Sequence, residues 1–101
     1  MTDKYILEGH AIKPVKKLME WARWFETADR VVAKTEQGNI MVNTIFLGLD
    51  HNFSGGKPIL FETMVFGGEF DQEQERYHTW EEAEAGHKAM VARVFKVKER
   101  N

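Results

Sequence analysis

The sequence predicts an α+β fold, on three observations. Residues 14–27 and 79–95 carry apolar side chains at three- and four-residue spacing, the signature of an amphipathic helix. Between them lie strand-length apolar runs at 30–36, 40–49 and 59–66, punctuated by Gly38 and by Ser54-Gly55-Gly56. Consecutive strands joined by short connections pair antiparallel. The expected architecture is α-β-β-β-α, a three-stranded antiparallel meander flanked by two helices in two layers, with self-association completing it.

Each element has a local reason. Residues 1–13 read as a short extended segment ending before Pro14, because proline disfavours helix in the residue ahead of it and suits the first turn of the helix that follows. In the first helix Val15, Leu18, Met19, Ala22 and Phe25 form the apolar stripe, with Trp21 and Trp24 beside it. Gln37-Gly38-Asn39 turns the first strand into the second, and Pro58 opens the third. Residues 67–76 are polar and acidic, an expected exposed loop, and Tyr77-His78 adds a brief edge strand. Thr79 and Glu82 form a capping box for the second helix, whose inward face is Ala83, His87, Met90, Val91 and Val94. Residues 96–101 form a charged tail expected to fray.

At 101 residues the chain holds a single domain, spanning 1–101. Three Trp and seven Phe enlarge what so short a chain can bury. The formal charge of -2 argues against nonspecific nucleic-acid binding, which needs a basic face. The absence of cysteine excludes disulfides, thiolate metal sites and cysteine nucleophiles. No apolar run has the length of a membrane span and the first residues carry no secretory pattern, so the expected location is cytoplasmic. The run Ile45-Phe46-Leu47-Gly48-Leu49 is apolar on both sides of a strand, and a two-layer monomer covers one side. That predicts a homodimer or larger assembly.

The candidate site lies around loop 50–57 and the third strand. Asp50 and His51 stand where the second strand ends. There Asp can orient an imidazole or cap a turn, and His can act as base, ligand or donor. Asn52 extends this polar cluster, and Phe53 and Trp24 supply rings that could pack a ligand. Glu62 interrupts an apolar strand, so its carboxylate needs a partner, a proton or water. The bland readings are a turn built by Asx side chains and an Arg holding Glu62. A metal reading would recruit His10, His51, His78, His87 and Glu62, but no two histidines have a short ligand spacing. His87, on the inward face of its helix, reads as a satisfied core histidine. No nucleophile elbow, paired glycosidase acids or phosphate-binding glycine fingerprint is present, and no cofactor or metal is implied.

The segments 26–30, 47–53 (LGLDHNF), 60–68 (LFETMVFGG), 76–77 and 79–87 together resemble a family of short bacteriophage and prophage proteins. The resemblance implies a phage accessory protein in the host cytoplasm. Such a protein would sequester a nucleotide immune signal of the host, or block a host protein. The leading expectation is thus a noncatalytic homo-oligomer that binds a small polar ligand such as a signalling nucleotide. Asp50, His51, Asn52 and Glu62 would read its polar groups, and Trp24 and Phe53 its ring. The alternatives are a protein-binding inhibitor using the acidic surface over 69–75 and, last, a metal-dependent hydrolase using Asp50, His51 and Glu62.

Overall fold

A computed structural model of the chain describes residues 2–95, and the predicted tail 96–101 lies outside them. The fold is α+β, with two helices and two antiparallel sheets. The chain opens on a hairpin of β1 (Lys4–Glu8) and β2 (Ala11–Val15), then runs through α1 (Leu18–Thr27). A four-stranded sheet follows, made of β3 (Val31–Gln37), β4 (Ile40–Phe46), β5 (Phe61–Phe66) and β6 (Gln74–Tyr77). Its strands lie in that order, each antiparallel to the next, and α2 (Trp80–Phe95) closes the described chain.

Several expectations are corrected. The first helix starts at Leu18, not Pro14, because Pro14 lies in β2 opposite Tyr5. β2 is an outer strand of its sheet, where a missing N–H is tolerated. The edge strand expected at Tyr77-His78 is β6 over Gln74–Tyr77, so it takes in residues read as loop and makes a four-stranded sheet of the three-stranded meander. The two helices also do not share one sheet face. α2 packs on all four strands, whereas α1 packs on the hairpin. It reaches the sheet through Trp24, whose ring meets Phe46 edge-on at 5.7 Å.

Alternation along the strands sets two faces. Thr35, Val42, Thr44, Phe46, Phe61, Thr63, Val65 and Tyr77 stand on the inner face, under α2. Ala83, His87, Met90 and Val94 answer them from the helix at the expected spacing. Two apolar clusters result. Val42, Val65, Met90 and Val94 form one, and Phe46, Leu60, Phe61 and Ala83 the other. Full burial of Phe46 and Phe61 contributes about 1.5–3 kcal/mol each.

The second strand stops at Phe46 rather than Leu49, and the reason is Gly48. Its φ is +80, and a Cβ there would stand 2.8 Å from the Phe25 ring. The Gly48 carbonyl accepts both the Tyr5 amide (2.9 Å) and the Trp21 indole N–H (3.0 Å). One residue therefore ties together the end of β4, the hairpin and α1. The predicted capping box is present: Glu82 N donates to Thr79 Oγ1 at 3.1 Å and Thr79 N to the Glu82 carboxylate at 3.3 Å. A further bond from the His78 amide, at 2.9 Å, is the main reason the Glu82 carboxyl lies below its usual range.

Candidate functional site

Loop 50–57 is built by its own side chains. Asp50 Oδ1 accepts the amides of Asn52 (2.7 Å) and Ile59 (2.9 Å), closing both ends of the loop onto one carboxylate. Asn52 adds a second brace: its Nδ2 donates to the Lys57 carbonyl (2.7 Å), and its Oδ1 accepts the Ser54 amide (3.2 Å). His51 Nδ1 donates to the Leu49 carbonyl at 2.9 Å, which leaves Nε2 as the acceptor of the neutral ring. His78 Nδ1 likewise donates to the Pro58 carbonyl at 2.9 Å, linking the far end of the loop to the start of α2. Asp50 and Asn52 are thus engaged in holding the backbone.

Phe53 at the tip is 88% exposed, with the His51 ring 6.0 Å away centroid to centroid. A ring this exposed contributes nothing to the core. The other predicted residues stand apart from it. Trp24 is packed in the second apolar cluster. Glu62 lies on the outer sheet face, opposite Arg76 of β6, whose Nε donates to Glu62 Oε2 at 2.9 Å. That pair is partly exposed, so its net worth is about 0–1 kcal/mol. Asp50, His51 and Glu62 do not form a metal centre, and among the described residues no group of three or more His, Asp or Glu is placed to hold one.

The outer face of the sheet carries Met41, Asn43, Ile45, Glu62 and Met64, with Phe66 43% exposed at its end. Among the described residues no helix packs over it. The Asn43 side-chain oxygen is occluded from water and has no hydrogen-bond partner. No helix among the described residues is long and apolar enough to cross a membrane.

Sequence reasoning missed a polar row on the inner face. His87, 5% exposed, has Nε2 2.9 Å from Thr35 Oγ1 and Nδ1 2.7 Å from Thr44 Oγ1. Thr44 Oγ1 lies 2.5 Å from Thr63 Oγ1, which accepts the Tyr77 hydroxyl at 3.1 Å. Burial holds the His87 imidazole below its ordinary pKa. The signal available in the sequence was the threonine at inward positions of successive strands, but recognising it requires the register. No protein-family model, curated protein or solved structure matches the chain.

Proposed function

We propose that this chain is a noncatalytic binding protein whose recognition element is loop 50–57, with Phe53 as its anchor. One observation carries the reading. The side chains of Asp50, His51 and Asn52 bond to the backbone of the loop and its flanks, and the ring of Phe53 at its tip is 88% exposed. A pre-organised aromatic gives up little conformational freedom on binding and suits insertion into a partner's pocket. A protein surface is therefore the better-supported target. The resemblance to short phage proteins gives that contact the role of blocking a host factor. The signalling-nucleotide reading rests on His51 and Phe53 alone, because Asp50 and Asn52 are occupied and Glu62 is held by Arg76.

Self-association belongs to the same proposal. The outer sheet face has an apolar centre (Met41, Ile45, Met64) with charged Lys34, Glu36 and Arg76 around it, the anatomy of an interface.

Photo-crosslinking from position 53 in the host cell tests the recognition element. A discrete protein adduct from position 53, absent when the probe replaces exposed Lys88 of α2, is the expected result. Equal labelling from both positions refutes it. Thermal melts with cyclic dinucleotides and adenosine-diphosphate-ribose derivatives decide the second reading. A shift that Phe53→Ala abolishes would move the target from protein to nucleotide.

A further inference from the structure

The inner face of the sheet is crossed by a continuous chain of hydrogen bonds to which every strand contributes one side chain. Thr35 comes from β3, Thr44 from β4, Thr63 from β5 and Tyr77 from β6, with His87 of α2 inserted between the first two. It runs between the two apolar clusters.

One arrangement keeps every hydroxyl proton within the chain. Tyr77 donates to Thr63 Oγ1, the Thr63 proton turns to Thr44 and the Thr44 proton to His87 Nδ1. Nδ1 is then an acceptor, and Nε2 carries the ring proton and gives it to Thr35 Oγ1. Every hydroxyl from Tyr77 to Thr44 donates once, and the imidazole is neutral. A second proton on the ring makes Nδ1 a donor. Thr44 then accepts from the ring and turns its own proton to Thr63, and the row keeps every threonine proton inside it when Thr63 in turn donates to the Tyr77 oxygen. The Tyr77 hydroxyl proton is left to turn out of the chain. Beside it lies a cavity of about 200 Å³ lined by Glu75, Tyr77, Gly86, Met90 and Arg93.

We propose that this row is a reversible relay in which the protonation of His87 sets the direction of the hydroxyls. It thereby decides whether Tyr77 donates inward to Thr63 or outward into the cavity between β6 and α2. The groups around His87 leave it as the switching element. On the inner face of β6 stand Tyr77 and, at the rim, exposed Glu75. Lys34 and Glu36 of β3, Glu62 of β5 and Arg76 of β6 are on the opposite face. β4 presents no titratable side chain, and Glu84 and Lys88 of α2 are exposed. Burial disfavours the charged ring, so reversal belongs to acidic conditions below the usual imidazole range.

Nitrogen-detected NMR of the His87 ring between pH 8 and pH 4.5 tests the relay. The neutral ring should carry its proton on Nε2. Thr63→Val does not touch the imidazole, yet it removes the acceptor that Thr44 needs after reversal, so the His87 pKa should fall by at least half a pH unit. Thr63→Ser should restore it, and Tyr77→Phe should lower it by less. An Nδ1–H tautomer in the unmodified protein overturns the proposal without any variant. So does a His87 pKa that ignores Thr63→Val.

Discussion

Gly86→Ala separates the packing described above from simple helix propensity, because the two predict opposite signs. Gly86 lies inside α2, where alanine is favoured by about 1 kcal/mol on propensity alone. A Cβ built there collides with the Oη, Cε1 and Cζ atoms of Tyr77, whose ring lies against the helix backbone. Relief requires the ring to move. Moving it breaks the 3.1 Å bond to Thr63, worth about 0.5–1.5 kcal/mol, and adds about 1–3 kcal/mol of overpacking. After the propensity gain is subtracted, the net loss is about 0.5–3.5 kcal/mol. Each kcal/mol lowers the Tm of a domain this size by about 4–8 °C. Urea and thermal denaturation followed by circular dichroism measure it. The control is a double-mutant cycle with Tyr77→Leu, in which the same alanine should become neutral or stabilising. A Gly86→Ala protein more stable than the original, with Tyr77 in place, would refute the reasoning.

Other outcomes follow from the same contacts. The His87 pKa is depressed on folding, so its contribution to stability is fully present above the unfolded value of about 6.5 and is lost as pH falls from there through the folded value. His87→Gln should flatten that part of a stability-against-pH curve. Asp50→Ala removes a carboxylate accepting two amides and should cost about 1.5–3 kcal/mol, read by denaturation, while raising amide exchange across 51–59. Glu62→Gln should cost under about 1 kcal/mol, because the pair with Arg76 is partly exposed; a larger loss in melts would show that Glu62 does more than pair. Light scattering at micromolar concentration should report a dimer or larger, and Ile45→Lys on the outer face should return it to monomer.

What the sequence revealed was whatever depends on neighbours along the chain. The Thr79/Glu82 box and the inward set of α2 are i, i+3 and i, i+4 relations, and both are present as read. The braced turn of Asp50 and Asn52 is likewise local. The amphipathic pattern misled at the N-terminus. Val15 belongs to β2, and Leu18 and Met19 are 60% and 63% exposed, so the stripe that predicts a helix from Pro14 joins two different elements. β6 reads Gln-Glu-Arg-Tyr and shows no apolar alternation, since it is an edge strand. Its place is marked by Arg76 meeting Glu62, a relation fourteen residues apart that no local pattern discloses.

The buried polar row bears on folding as much as on titration. Apolar pairs such as Val42 with Val65 or Phe46 with Phe61 would tolerate a two-residue slip of β4 along β5, because alternate positions keep the same face. The threonines do not. After such a slip Thr44 would face Phe61 or Val65, and Thr63 would face Phe46 or Val42, leaving two buried hydroxyls without each other. Each unpaired group costs about 1–3 kcal/mol, a large share of the stability of a small domain. The paired hydroxyls thus discriminate against the register that the apolar residues would accept. His87 extends the discrimination to α2, because a helix shifted by one turn would withdraw the ring from both Thr35 and Thr44. Serine in place of Thr44 and Thr63 should preserve the register, whereas valine at both should let it slip and cost about 1–3 kcal/mol for each of the His87 Nδ1 and Tyr77 hydroxyl groups left without a partner. Cross-strand amide contacts measured by NMR on the two double variants distinguish a core that needs the row for specificity from one that merely accommodates it.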